Sequence, residues 1–264
     1  MTRIKLGQYV YGDSLIHSLD PRTKIICCTF AVIAVLTSHS LYYLLFFLVL
    51  MAAAIKGSGI PPDSILRSLR SIRYLLLITF VFQAVLTAGE PAFRIGSLSV
   101  TREGLTLGTV NLFRLVILYL GSIILLMTTS PLKFAAGLEY LLSPLNRIRV
   151  PVHNFTTVVN ISFRFIPTLV EEVNIIKDAQ SSRGAPFDSP RLLVRLKSYL
   201  AILIPLLASS LLRAEDLAEA MDSRCYAGHR NRYRMNSLKL QGRDAALMGF
   251  MAAVLLLGLI ISYA

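Results

Sequence analysis

Apolar residues along this chain are grouped into long runs that are separated by short polar breaks. The first run covers residues 25–55 and is interrupted only by Ser38-His39-Ser40. Because a membrane-spanning helix needs roughly 20 apolar residues, this run predicts two short helices joined by a tight turn. Further runs at residues 74–86, 105–127 and 245–263 predict three more helices. The pattern therefore predicts an all-α, polytopic membrane protein with about five spans.

Two other segments carry weaker signals. Residues 199–212 are apolar except for Ser209 and Ser210, but the stretch is short for a span and contains Pro205. We therefore count five spans and keep a sixth as the alternative. In the polar loop at residues 88–103, Phe93-Arg94-Ile95 and Leu98-Ser99-Val100 flank Gly96-Ser97. That arrangement is a weak hairpin signal.

Composition and charge agree with membrane insertion. The 264 residues are 55% hydrophobic and 16% charged, whereas a soluble domain carries about 25% charged residues. The net charge of +12 is compatible with nucleic-acid binding, but in membrane proteins such an excess more often lies in cytoplasmic loops. Residues 128–244 hold 16 of the 27 Lys and Arg residues. We therefore expect a cytoplasmic N-terminus, a cytoplasmic segment at 128–244, a C-terminus outside and no nucleic-acid partner.

The chain is thus divided into a membrane region at residues 1–127, a helical segment at 128–244 and a last span at 245–264. Within the segment, one apolar stripe predicts a helix over about 152–183, with a kink at Pro167 and an end at Gly184. A second stripe predicts a helix that ends near residues 226–228. The two stripes consist of Val158, Ile161, Phe165, Leu169, Val173, Ile176 and Ala179, and of Leu211, Ala214, Ala218, Met221 and Cys225.

The two predicted helices end alike, because each places an arginine directly after a serine: Ser182-Arg183-Gly184 and Ser223-Arg224-Cys225. One interpretation is that each arginine compensates the helix dipole and caps the last carbonyls. The other is that the two guanidinium groups dock on acidic surfaces of a partner, because the rigid arginine fork binds carboxylates bidentately. Two such ends in one cytoplasmic segment favour docking.

Three positions in or next to the fourth predicted span, at residues 105–127, are further candidates. Arg114 is a charge inside a predicted span, which is by default a functional hypothesis. We expect it to pair with Glu103 or Glu90, or to face a subunit interface. Gly104 and Gly108 form a G-x-x-x-G pattern, which permits close packing of helices and is a candidate contact with another membrane subunit.

Motifs for metal, cofactor or nucleotide chemistry are not found. The three cysteines include no C-x-x-C pair, so we predict no disulfide framework and no metal site. The sequence also lacks the G-x-x-x-x-G-K-[ST] loop that cradles phosphates, so ATP binding by that route is excluded. We expect a non-catalytic membrane protein without a cofactor.

Several motifs resemble the transmembrane T component of energy-coupling factor transporters, a family of ATP-driven vitamin and metal importers of prokaryotes. The resemblance covers nearly the whole chain. The ending at residues 179–184 is similar to the family's first coupling motif, Ala-Arg-Gly, and Ser223-Arg224-Cys225 lies where the second is expected. Serine replaces alanine in both, and Cys225 replaces glycine or serine. The other matching segments are residues 12–14, 17–24, 101–105, 128–131 and 164–167.

The resemblance implies a mechanism and a set of partners. Two cytoplasmic ABC-type ATPase subunits would bind the coupling helices, with Arg183 and Arg224 in their grooves. A separate membrane-embedded substrate-binding subunit would choose the cargo, and its vitamin or metal is not encoded in this chain. The family resides in the prokaryotic cell membrane.

Two other classes of function remain as alternatives. A stand-alone secondary transporter would show internal repeats and interrupted helices at a midplane site, and no convincing repeat is visible. An intramembrane enzyme would need paired carboxylates, or a nucleophile with a base, within the spans, and the spans offer neither.

Overall fold

A computed structural model describes residues 12, 14–38, 40–95, 98–144, 152–226 and 240–263. The described residues are almost entirely helical, which confirms the all-α prediction. A two-stranded antiparallel hairpin in the 88–103 loop confirms the hairpin signal. The elements are α1 (Leu15–Ser18), α2 (Pro21–Thr37), α3 (Leu41–Ser58), α4 (Pro62–Leu86), β1 (Pro91–Ile95), β2 (Leu98–Thr101), α5 (Arg102–Thr128), α6 (Pro131–Leu142), α7 (Val152–Ser182), α8 (Leu192–Ser223) and α9 (Gly242–Tyr263).

Five of these helices are long and apolar enough to cross a membrane: α3, α4, α5, α8 and α9. The number agrees with the prediction, but the membership differs. The prediction left out residues 199–212 as too short, whereas the helix continues through Pro205 to a length of 32 residues. It is extended at its start by Leu192, Leu193 and Leu196. Helix α2, which contains the first predicted span, is not among the five. It has 17 residues, so its length is at the lower end for a span.

The helices form two compact units, and each is described separately. Helices α1–α6, the hairpin and α9 belong to residues 1–141 and 236–264, and α7 and α8 belong to residues 142–235. Helix α6 thus groups with the apolar helices, whereas the boundary predicted from sequence stood at residue 127.

The membrane unit has its core where α2, α3, α5 and α9 meet. Val35, Leu44 and Phe47 are fully buried there, together with Ile117 of α5 and Val254 of α9. Many apolar side chains of α4 are instead exposed, as expected of a helix that faces lipid in a membrane where only an apolar surface is tolerated. They include Leu66, Leu75, Leu77, Ile78, Val81, Phe82 and Leu86.

In the second unit, α7 packs along α8. The first predicted stripe is confirmed over most of its length, because Ile161, Phe165, Leu169, Val173 and Ile176 are half-buried. Helix α7 also begins and ends as predicted and contains Pro167 in its interior. The predicted kink at that proline stays a prediction.

The second predicted stripe is wrong as the packing face of α8. Leu211, Ala214 and Ala218 are exposed, and a different face turns inward. The reason is polar: Glu172 of α7 accepts a hydrogen bond from the Ser209 hydroxyl and pairs with Arg213 at 2.8 Å. The buried and half-buried positions of this face are Ser198, Ile202, Leu206, Ser209, Arg213, Leu217 and Met221.

Candidate functional site

The end of α7 is closed by a left-handed residue. Gly184 has φ of +81°, a conformation that glycine adopts without steric cost. The amide of Gly184 donates to the carbonyl of Ser181 at 2.9 Å, and the amide of Ala185 donates to the carbonyl of Gln180 at 3.0 Å. This pair of bonds is the Schellman motif, which satisfies the last carbonyls of a helix.

The end of α8 repeats this geometry residue by residue. Cys225 has φ of +54°. Its amide donates to Asp222 at 2.9 Å, and the amide of Tyr226 donates to Met221 at 3.0 Å. Cys225 therefore takes the left-handed position that Gly184 takes in α7, although a residue with a Cβ adopts it at a cost of about 1–2 kcal/mol. The departure from glycine at this position leaves the cap geometry intact.

The serine before each arginine also has an equivalent contact. The hydroxyl of Ser182 donates to the carbonyl of Asp178 at 3.0 Å, and the hydroxyl of Ser223 donates to the carbonyl of Glu219 at 2.7 Å. Each hydroxyl is thereby turned back onto its own helix, as is usual for serine within helices. The two serine hydroxyls therefore bond to their own helices and do not project toward a partner.

Both arginines are exposed at these ends. Arg183 and Arg224 follow the last helical residue, and each donates its own backbone amide to the helix, to Gln180 at 3.1 Å and to Met221 at 3.2 Å. Within the described residues, neither guanidinium group forms a hydrogen bond or an ion pair. The backbone, not the arginine side chain, thus closes each helix, which weakens the interpretation that the side chains serve as caps.

Arg114 has an explanation that the sequence did not reveal. Its Nε donates to the carbonyl of Val35 at 3.2 Å, and its Nη2 donates to the carbonyl of Ser38 at 2.8 Å. Nη1 reaches the side-chain oxygen of Asn111 at 3.0 Å. The two carbonyl acceptors are at the C-terminal end of α2, where carbonyls lack partners within the helix and carry partial negative charge.

The expected pairing of Arg114 with Glu103 or Glu90 is wrong. Glu103 instead accepts a hydrogen bond from the backbone amide of Glu90 at 2.9 Å, next to the hairpin. Arg114 lies about three helical turns beyond Glu103 on α5. It bonds to α2 and thereby connects two membrane helices. A part in a subunit interface stays a prediction.

Gly104 and Gly108 are buried against α4 of the same chain. A Cβ added at Gly104 would be 2.8 Å from the carbonyl oxygen of Gln83, and one at Gly108 would be 3.2 Å from the ring of Phe80. The G-x-x-x-G pattern thus permits close approach of α4 and α5, which accounts for both glycines within the chain. The predicted contact of these glycines with another subunit stays a prediction.

Among the described residues, no three or more His, Cys, Asp or Glu side chains form a group that could hold a metal ion. The geometry on which a function can be built is therefore the pair of matched helix ends, together with the membrane helices.

The sequence of this chain is similar to a known protein family over most of its length. The family model described as CbiQ, cobalt transport protein, matches residues 12–235. The chain belongs to this family.

Curated relatives cover almost the full length of the chain. It is 43% identical over 258 residues to the energy-coupling factor transporter transmembrane protein EcfT of Acidaminococcus fermentans, covering 97% of this chain and 95% of the relative. It is 42% identical over 254 residues to the EcfT protein of Heliobacterium modesticaldum, with 96% of each chain covered. The EcfT protein of Bacillus subtilis is 34% identical over 249 residues, with 94% of each covered.

These findings confirm the resemblance to the T component of energy-coupling factor transporters. The family and the five apolar helices together establish a multi-pass membrane protein of a transport system.

Proposed function

We propose that this chain is the scaffold and coupling subunit of an ATP-driven vitamin importer of the energy-coupling factor type. In this proposal it binds two cytoplasmic ABC-type ATPase subunits and a separate membrane-embedded substrate-binding subunit, and it carries out no catalysis itself. The observation that carries the proposal is the pair of matched helix ends, each with an exposed arginine after a serine and before a left-handed residue.

Docking through Arg183 and Arg224 is supported by their geometry. A Schellman cap ends each helix within one residue of the arginine, so the guanidinium group projects from a rigid point. A Cβ added at Gly184 would have no atom within 4 Å, so the neighbouring surface is open to a partner. Two equivalent ends suit two ATPase subunits, because each can seat one arginine in a groove with acidic groups.

Transmission through long helices is supported by the packing of α7 against α8. The ion pair between Glu172 and Arg213 lies in the packed face between the two helices. Movement applied to either end can therefore be carried along a pair of helices of 31 and 32 residues, each about 45–50 Å long at 1.5 Å per residue.

The topology proposed for the chain follows from its charge. Although α8 is long and apolar enough to cross a membrane, residues 128–244 carry most of the positive charge. We therefore place this whole segment, α8 included, and the N-terminus on the cytoplasmic side of the prokaryotic cell membrane. The two arginine ends then face the compartment that contains ATP.

Purification of the tagged full-length chain from its own membranes, with mass spectrometry of every co-purifying protein, tests the proposal. We expect ATPase subunits with a phosphate-binding loop and at least one small, very apolar membrane protein. Purification of the chain without any ATPase under mild detergent conditions would contradict the proposal and would favour the alternative of a stand-alone secondary transporter.

A further inference from the structure

Four polar residues within a five-residue stretch at the start of α2 are buried in the membrane unit. Asp20 is 6% exposed, Arg22 is 9% exposed, Thr23 is fully buried and Lys24 is 8% exposed. Charged side chains are rarely buried to this extent unless they have specific partners. The partners of Asp20, Arg22 and Lys24 come from three different helices.

The first partner is α9. The carboxylate of Asp244, 2% exposed, accepts the backbone amide of Asp20 at 3.0 Å and the backbone amide of Gln241 at 2.9 Å. Asp244 thus caps the start of its own helix and holds it to the start of α2. Asp20 in turn accepts the backbone amide of Arg22 at 2.9 Å, which caps α2.

The second partner is α6. The guanidinium carbon of Arg22 is 3.4 Å from the centre of the Tyr140 ring, a cation–π contact. Gly137, about one turn earlier on α6, also contacts the first turn of α2. A Cβ added there would be 3.1 Å from Cβ of Pro21 and 3.3 Å from the amide nitrogen of Arg22. Helix α6 is therefore seated directly on the first turn of α2.

The third partner is α5. The ammonium group of Lys24 donates to the carbonyl of Thr128 at 2.9 Å and approaches the carbonyl of His17 at 3.4 Å. Thr128 is the last residue of α5, so the cation lies at the negative end of that helix. Residues 20–24 consequently hold together α2, α5, α6 and α9.

The chain connectivity gives this cluster its significance. The unit that contains α7 and α8 is joined to the membrane unit by two covalent links, residues 145–151 after α6 and residues 227–239 before α9. Both links end on helices that are anchored to residues 20–24. Because α6 and α9 both contact residues 20–24, a displacement of either helix end acts on the same five residues.

We infer that residues 20–24 form a joint that passes movements of the α7–α8 unit to the membrane helices, with Tyr140 and Asp244 as its two positioning residues. The inference rests on the proposed function, because it presumes that ATPase subunits move α7 and α8. It assigns to the joint a part in transmission and leaves ATPase docking to Arg183 and Arg224.

The membrane helix that carries the joint also carries a readout of its movement. Cys27 and Cys28 are half-buried on α2, close to Lys24. They line an apolar cavity of about 330 Å³ within the membrane unit, together with Met51 and Phe250. A change in the position of α2 alters the access of a small, membrane-permeable maleimide to these thiols.

The test uses the full-length chain assembled with its ATPase subunits in lipid vesicles. The rate of N-ethylmaleimide labelling of Cys27 and Cys28 is measured by mass spectrometry without nucleotide and with trapped ATP–vanadate. In the wild-type complex we expect the two rates to differ by about fivefold or more. Equal rates in the wild-type complex would contradict the inference.

The matched pair Tyr140→Leu and Tyr140→Phe separates transmission from folding. Phenylalanine keeps the ring under Arg22, whereas leucine removes it from a side chain that is 51% exposed and contributes little to the core. We expect Tyr140→Phe to keep the nucleotide-dependent change in labelling and Tyr140→Leu to reduce it to less than about twofold. Both variants should retain ATPase co-purification and hydrolysis.

Asp244→Asn tests the contact with α9 in the same assay. One amide oxygen cannot replace both acceptor oxygens of the carboxylate. This variant should reduce the nucleotide-dependent change in labelling as much as Tyr140→Leu does. Tyr140→Leu that responds to nucleotide as Tyr140→Phe does would overturn the joint while leaving the proposed function intact. A wild-type chain that fails to bind ATPases would overturn the proposed function, and the joint with it.

Discussion

The guanidinium group of Arg114 donates a 2.8 Å hydrogen bond to the carbonyl of Ser38. Ser38 lies 76 residues earlier in the chain, at the C-terminal end of α2. With the bond to Val35, Arg114 satisfies two carbonyls that the helix itself leaves without partners. A charge within a span is thereby explained as a fastening between α2 and α5.

Replacement of Arg114 by methionine should destabilise the chain by about 2 kcal/mol, because hydrogen bonds to a charged group are lost and the carbonyls of α2 are left without a donor. Thermal unfolding in detergent, followed by size-exclusion chromatography, measures the effect. Arg114→Lys should lose less, since an ammonium group can reach one of the carbonyls. An unchanged melting temperature for Arg114→Met would contradict this account.

Gly104→Ala should also destabilise the chain, by about 1–3 kcal/mol, because its Cβ would approach the carbonyl oxygens of Gln83 and Ala84 within 3 Å. The matched control is Gly121→Ala on the same helix, where a Cβ meets nothing within 4 Å. The control should be neutral or stabilising by up to about 1 kcal/mol. Equal melting temperatures for the two variants would refute the close approach of α4 and α5.

How much of this could be read from the sequence differs between the elements. The bounds of α7 follow from its apolar period and from Gly184, because both signals are local. The packing face of α8 does not, because apolar side chains are also required where a helix faces lipid or a partner, and Glu172 draws Ser209 and Arg213 inward instead. Arg114 and Lys24 donate to backbone carbonyls far along the chain. The backbone amide of Asp20 donates to the carboxylate of Asp244, which is equally distant in sequence. No local pattern encodes these contacts.

The matched helix ends were partly visible in the sequence. The serine and arginine of each end are adjacent in the chain, so they could be compared directly. The left-handed conformation of Cys225 could not be foreseen from a residue that rarely adopts it. Cys225 corresponds to Gly184 because its amide and the amide of Tyr226 form the same pair of capping hydrogen bonds.

Cys225→Gly should make the end of α8 more rigid, because glycine removes a conformational cost of about 1 kcal/mol. Hydrogen–deuterium exchange of the peptide covering residues 221–226 should slow by about fivefold, since local opening becomes less favourable. Gly184→Ala is the converse variant and should speed exchange at the end of α7. Faster exchange in Cys225→Gly would show that the left-handed cap is not the resting geometry.

The native thiol of Cys225 reports the membrane orientation without an added cysteine, because it is exposed at the end of α8. A membrane-impermeant maleimide should label it in inside-out vesicles from which the ATPase subunits have been stripped, because the proposed docking would otherwise cover the thiol. It should leave the thiol unlabelled in intact cells. The variant Cys225→Ser supplies the blank, and Ser181→Cys in that background should give the same pattern at the end of α7. Labelling from outside intact cells would reverse the proposed topology.

The claim that Arg183 and Arg224 dock the ATPase subunits is tested most directly by co-purification with the double variant Arg183→Glu and Arg224→Glu. The matched control is Arg191→Glu and Arg195→Glu, which makes the same change of charge at exposed positions of the same unit. Both variants should insert into the membrane at wild-type levels. We predict that the control retains the ATPase subunits and that the double variant loses them. Retention of the ATPase subunits by the double variant would contradict the docking model.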